Sequence, residues 1–470
     1  MFKKYLNTNT ITIILFIITF FLLIKILIFS DKNNIKPLTL TPKNELSLVS
    51  KNEINTSYAP AVPKAIQRKE QSIFDVHLEV LENICDIDSN NNIKFDVWGY
   101  RIKGDDKVLC GAPGPILRGR VGDIARITLT NIKDNKNTHN IDFHSVTGQG
   151  GGASALTVLP GETKTIEIRL LYPGTFMYHC AFGDVPEHIA HGMYGMFIVD
   201  PEKPLPEVDH EWAIMQSEWY LDELTSDRVN KLDHIALLNE EPNIITFNGK
   251  KNALLNENSL SMNTGERSRI YFVNQGLSLA SNFHPIGSHW DLVYPEGATH
   301  STNNTIHGSQ STLVVAGGGT VVELVARVPS YIILVDHALT RAFYKGAMGI
   351  INVSGEENKE IFEAKVTKET TEEINEENKK FDIEIVKDSY IYDNNKLNDY
   401  APYEFIASVG DTITWINDDD TPHTVTANDY SFDSGTLRKG DTWSYTFTES
   451  GTYNYFCEPH PWMEGVIIVK

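Results

Sequence analysis

Cysteine is scarce in this chain, with four among 470 residues, and so few exclude a disulfide scaffold at this size. Cys85 and Cys110 can pair across neighbouring strands, or they can equally remain buried free thiols. Basic residues are also in deficit: 41 Lys and Arg stand against 62 Asp and Glu, a formal net charge of −21. Binding a phosphate backbone requires clustered Lys and Arg, so a nucleic-acid partner is excluded. The acidic excess keeps the chain soluble and suits a basic partner. After residue 30 no long stretch carries a helical period. Aromatics reach 10%, and short runs rich in Val, Ile, Thr and Tyr are broken by Gly and Pro, a pattern of all-β units. At about 100 to 150 residues per domain, two to four domains are expected.

One long hydrophobic run is present. Residues 11–29, ITIILFIITFFLLIKILIF, follow Lys3 and Lys4 and are apolar except for two Thr and Lys25. At about 1.5 Å per residue the run nearly spans a hydrocarbon core of about 30 Å. No small-residue cleavage site follows it, so residues 1–30 are expected to be an uncleaved N-terminal transmembrane helix; a cleaved signal segment is the alternative. The rest of the chain is then exported, to the periplasm or the outer face of the cytoplasmic membrane. Residues 31–72 read as a polar tether. Folded units are expected over 73–201, 202–354 and 381–470, with 355–380 a charged linker. All three units end in a Gly-bearing turn and a short apolar strand, YGMFIVD, MGIINV and EGVIIVK, which suggests three copies of one β-sandwich plan.

The stretch FMYHCAFGDVPEHIAHGM, residues 176–193, concentrates metal-binding side chains. Neighbouring side chains of a strand point to opposite faces, so His179 and Cys180 address two sites. Upstream, THNIDFHS places His139 and His144 an odd number of residues apart, which again separates the two rings. Cys180, His188 and Met193 with His139 supply a thiolate, two imidazoles and a thioether. That set suits an electron-transfer copper. His191 competes with His188 and reads rather as a polar neighbour. The other centre holds His144 and His179 and lacks a third imidazole. Three imidazoles with an open position make a catalytic metal site, and the candidate third donor is His337 in VDHALTRAFYKGAMG.

In order, HNIDFH, GGGASAL, YHC, HIAHGMYG, SNFHPIGSHWD and VDHALTRAFYKGAMG resemble the motifs of the copper-containing nitrite reductases across residues 74–353. The short spacing from Cys180 to His188 is similar to that of the branch with the outer-membrane enzymes of pathogenic cocci. The resemblance implies cupredoxin-like Greek-key sandwiches, a type 1 copper on His139, Cys180, His188 and Met193, and a type 2 copper on His144, His179 and His337. It implies a homotrimer in which that last histidine comes from the neighbouring subunit. It also implies that Asp142 and His284 form the acid/base pair beside the catalytic copper, with His289 competing for the second role. Nitrite is then the substrate, and reducing it to NO and water takes two protons and one electron.

The last unit offers His423 in DDDTPHTVTA and Cys457, His460 and Met463 in YNYFCEPHPWMEG. It resembles small blue-copper proteins of the amicyanin and pseudoazurin kind. Phe456 stands before Cys457 where a second site would need histidine, so this unit is expected to be a tethered electron carrier. Its own reductant, a cytochrome c or a cupredoxin, is not specified by the sequence. A multicopper oxidase would need several His-x-His pairs, and the chain has none. A non-catalytic copper carrier would have no use for Asp142, His284 or His337.

Overall fold

A computed structural model describes residues 38–50, 53–88, 91–300, 304–363, 382–390, 399–428, 431–460 and 462–470. The expected helix over 1–30, the start of the tether and most of the charged linker lie outside the described residues. Among those described, no helix is long and apolar enough to cross a membrane. Of the first unit, which ends at Glu45, residues 38–45 are described, and Lys43–Glu45 make a single 3₁₀ turn.

Among the described residues from Leu46 onward there are six sheets, which fall into three pairs along the sequence. One strand arrangement recurs in each pair. Tyr194–Asp200 runs antiparallel to Gly174–His179 and parallel to Ile116–Arg120. Met348–Ser354 runs antiparallel to Ser330–Asp336 and parallel to Leu260–Asn263. Glu464–Val469 runs antiparallel to Gly451–Phe456 and parallel to Glu404–Ala407. The Gly-bearing apolar segments that look alike in sequence thus occupy equivalent central strands.

Burial differs between the first and third copies of this strand. Every residue of Tyr194–Asp200 is buried, because its outer face packs on the second sandwich: Ile116, Tyr194, Met196 and Ile198 share one cluster with Ala213, Met215, Tyr271, Val273, Tyr294 and Val321. Glu464–Val469 instead alternates buried and half-buried positions, as expected of a strand with one covered face. The first two sandwiches are therefore fused through a common core.

A buried ion network crosses the same junction. Arg118, 1% exposed, holds Asp200 at 2.8 Å and Glu211 at 2.7 Å. Arg269 joins Glu211 at 3.1 Å and Glu323 at 2.6 Å. Each charge is paired, and removing one partner strands the others in a low-dielectric interior. Cys85 and Cys110 are joined as a disulfide with Cα atoms 6.0 Å apart. Cys85 lies in the strand Ser72–Asp88, whereas Cys110 lies in a loop, so the pair ties strand to loop rather than strand to strand. Truncation of the central cation, Arg118→Met, is expected to cost about 3 to 5 kcal/mol, read from denaturant unfolding of the full chain.

Candidate metal centres

His179 is the last residue of Gly174–His179, in register with Asp142 on one side and Tyr194 on the other. One residue on, Cys180 turns to the opposite side, its backbone N–H donating to Met193 O at 3.1 Å. Asp184 then caps the helix Val185–Ala190, its carboxylate accepting from Glu187 N–H, with proline in the first turn. The cap starts the helix where His188 faces inward, 7% exposed. Gly192, at φ +109°, supplies a turn that a side chain would obstruct against Ala112 and the Trp98 carbonyl. The chain returns so that Met193 N–H donates to His188 O at 3.2 Å, and Met193 is fully buried.

His139, Cys180 and His188 meet at this point. His188 Nδ1 lies 3.2 Å from both Cys180 Sγ and His139 Nδ1, and His139 Nδ1 lies 4.0 Å from Sγ. His139 Nε2 is 3.0 Å from Glu82 Oε1. Burial raises the Glu82 carboxyl, but hydrogen bonds from His139 and from the backbone of Asn137 and Lys136 outweigh it and hold the group below its ordinary range. Glu82 therefore accepts a hydrogen bond from Nε2–H and leaves Nδ1 with its lone pair exposed. The backbone N–H of Asn140 donates to Sγ at 3.4 Å. Trp98 meets the His139 and His188 rings edge-on, at 5.6 and 5.0 Å between centroids.

The last sandwich repeats this construction. His423 Nδ1, His460 Nδ1 and Cys457 Sγ lie 3.0 to 3.5 Å apart, with Met463 fully buried beside them. His423 Nε2 is 2.8 Å from Asp419 Oδ2, and Thr424 N–H donates to Sγ at 3.4 Å. In both centres a carboxylate sets the tautomer of the first histidine, and the residue after that histidine donates to the sulfur. In each centre two ring nitrogens and a sulfur converge on one point. A soft cation with a thioether nearby fits that donor set, which favours copper over zinc.

A different pair forms on the other side of Cys180. His144 Nε2 and His179 Nε2 stand 3.2 Å apart, grouped with Asp142. His179 Nδ1–H donates to Cys180 O at 2.9 Å, and the other side of His144 bonds the Gly317 backbone, so both Nε2 atoms are free to ligate. Asp142 lies against Gly151, where an added Cβ would collide with Oδ1. His337 does not join this pair within one chain. It lies instead beside His284, with ring centroids 5.0 Å apart, and its side chain is exposed. His284 Nδ1 is 2.5 Å from Gln310 O. His289 is exposed, and it is His284 that adjoins His337.

His191 is no competitor for His188: it is stacked on Trp98 at 4.0 Å and on Phe95 at 4.9 Å, with Nδ1 2.6 Å from Asp96 O. Glu82, Trp98, Asn140 and Asp419 are not among the residues that the sequence motifs single out. Asp419, four residues before His423, carries a readable local signal. Glu82 is 57 residues from its histidine, and only the sheet pairing brings them together.

A family model for copper-binding proteins of the plastocyanin/azurin family matches residues 386–470, and one for multicopper oxidases matches residues 110–204. The copper-containing nitrite reductase of Neisseria meningitidis serogroup A is 38% identical over 313 residues, which is 66% of this chain and 78% of that protein. That of Neisseria gonorrhoeae is 38% identical over 313 residues, 66% of this chain and 76% of that protein. The chain belongs to the copper-containing nitrite reductases. Among solved structures, the copper nitrite reductase of Nitrosomonas europaea superposes with a TM-score of 0.53 at 32% identity, covering 62% of this chain and 96% of that one. The fold is shared also with the enzyme of Thermus scotoductus, TM-score 0.51 at 23% identity, over 85% of this chain and 99% of that one. Copper is the cofactor of this nitrite reductase, and the C-terminal unit is a copper-binding domain.

Before metal enters, burial and the neighbouring His139 lower His188 to about 4, and burial and His423 lower His460 to about 3. Burial raises the Cys180 thiol and pushes Cys457 up to about 12. His188 and His460 are then neutral imidazoles, and both thiols are protonated. Loading each cysteine-containing centre at pH 7 should release about one proton, from the thiol, measurable by calorimetry in buffers of different ionisation enthalpy. The imidazoles set the acid limit. An unfolded histidine protonates near 6.5 while folded His188 stays neutral down to about 4, so the metal-free protein should lose stability as pH falls through that window and keep it above 6.5. Thermal unfolding of the metal-free chain across that range is the check.

Proposed function

We propose that this nitrite reductase catalyses NO₂⁻ + 2H⁺ + e⁻ → NO + H₂O in an assembly of three identical chains. His139, Cys180, His188 and Met193 would hold a type 1 copper, His144, His179 and His337 a type 2 copper, and His423, Cys457, His460 and Met463 a further type 1 copper. When bound, copper supplies one-electron storage at the cysteine centres and a Lewis-acid position for nitrite at the histidine centre. The observation that carries this reading is the divergence of adjacent residues: His179 turns to His144, and Cys180 to His139 and His188. One peptide unit therefore links the electron store to the reaction site.

The chain's own groups handle the protons. Asp142, beside both ring nitrogens, holds a carboxylate oxygen where a substrate oxygen would be protonated. His284 is the second proton donor. Its contact with His337 supports that role, because whatever surface receives His337 receives His284 with it. The same geometry supports an assembly of several chains: His337 lies outside the His144–His179 group of its own chain, and a second copy would complete the set. The tethered blue-copper domain would deliver electrons, taking them in turn from an external cytochrome c or cupredoxin. Export to the periplasm, with residues 11–29 as a membrane anchor, fits the N-terminal hydrophobic run. The Cys85–Cys110 bond fits an oxidising compartment.

The test is nitric oxide release from nitrite with a reduced dye as donor. Asp142→Asn should lower the rate by about 10²- to 10⁴-fold while leaving the blue absorption intact. Gly151→Ala should act in the same direction by displacing that carboxylate. His337→Ala should remove the type 2 copper and spare both blue centres. Oxygen uptake without nitric oxide would instead identify an oxidase, and neither activity would identify a carrier.

A further inference from the structure

His337 presents an exposed ring on a backbone that is held from behind. The strand Ser330–Asp336 ends one residue before it. Its neighbour in the sheet, Ser281–Ile286, carries His284. At this strand end the Asp336 side chain, fully buried, collects hydrogen bonds from both segments. Oδ1 accepts from Asn282 N–H at 3.1 Å and from Ala338 N–H at 3.2 Å. Asn282 returns the link by accepting His337 N–H at 2.9 Å. Arg341, from the short helix Leu339–Phe343, places its guanidinium 3.1 Å from Oδ2.

The anchoring extends across the sandwich. Gln216, on the strand His210–Trp219 of the opposite sheet, donates Nε2–H to Oδ2 at 3.2 Å. Its Oε1 accepts from Ser281 Oγ at 2.7 Å. Gln216 and Ser281 are both fully buried. All the groups facing Asp336 are donors, so the site calls for an acceptor at both oxygens. An amide of the same shape would turn an NH₂ toward N–H donors and leave a buried group unsatisfied.

We infer that Asp336 is the positioning residue for His337 and His284: it locks the backbone on both sides of the ligand, so the imidazole that one chain offers to another arrives with its direction already set. This rests on the reading of His337 as a copper ligand. Within its own chain the exposed ring meets the edge of His284, and the main chain behind it fixes the direction in which it is offered. The carboxylate–backbone clamp provides that at a point where the sheet ladder has ended. Partners that orient a ligand from behind typically change metal affinity by 10- to 100-fold when lost.

The experiment compares Asp336→Asn with His337→Ala in the full chain loaded with copper. It reads blue absorption, particle mass, the type 2 electron paramagnetic resonance signal, and copper retained against a competing chelator. Asp336→Asn is expected to keep the blue absorption and the particle mass, to alter the type 2 signal, and to weaken type 2 copper retention by about tenfold or more. Arg341→Ala should shift the same signal in the same direction by a smaller amount. An Asp336→Asn protein with wild-type signal and retention, beside a His337→Ala protein that has lost type 2 copper, would overturn the inference and leave the ligand assignment standing. Loss of the blue absorption together with the type 2 signal in Asp336→Asn would show a general structural role and overturn it as well. Retention of type 2 copper by His337→Ala would overturn the ligand assignment itself.

Discussion

Two side chains separated by one peptide bond point to opposite sides of a strand end, and the organisation of this protein depends on that geometry. His179 closes the strand Gly174–His179 and Cys180 leaves it. Their imidazole and thiol cannot converge, so each seeds its own cluster. The hydrogen bond from His179 Nδ1–H to the Cys180 carbonyl reinforces the separation, because it aims Nε2 away from the sulfur. Two centres built this way are close in covalent terms and distinct in chemistry. One has sulfur and buried nitrogens, suited to holding an electron, and the other has nitrogens and a carboxylate beside open space, suited to holding a substrate.

Both cysteine centres rely on the same control of protons. Burial makes the charged forms costly for His188, His423 and His460 and for both thiols. A carboxylate behind the first histidine decides which nitrogen faces inward, Glu82 for His139 and Asp419 for His423. The two carboxylates come from unrelated places in the chain. That the same arrangement is reached from a distant strand in one case and from a local turn in the other indicates that the tautomer is the constrained quantity, rather than the residue that sets it.

One sandwich plan recurs in all three pairs of sheets, and what differs between copies is what covers them. The first two share a core and a buried ion network, so a strand such as Tyr194–Asp200, which would otherwise alternate, is buried throughout. The third keeps its alternation and carries one metal centre, with Phe456 where the first sandwich has His179. Counted from the first histidine of each cysteine centre, Asp142 and His144 of the first sandwich correspond to Thr426 and Asn428 of the third, so the third unit offers neither the carboxylate nor the imidazoles of the histidine centre.

Much of this was legible in the residue order. The apolar terminal strands of the three units, the density of His, Cys and Met in 176–193, and the opposed directions of positions 179 and 180 follow from local periodicity, which acts over a few residues. The second imidazole of each cysteine centre lies eight residues or fewer from its cysteine, and short turns leave it few other places to go. Tertiary structure alone decided the rest. Glu82 reaches His139, Asp336 clamps the segment of Asn282, and Cys85 meets Cys110 because sheet pairing and loop closure bring distant residues into register, and no local pattern encodes that. Likewise His337 stands beside His284 and apart from His144 within its own chain, because the two sandwiches are held in one orientation by a shared core, a consequence of packing that no stretch of sequence expresses on its own.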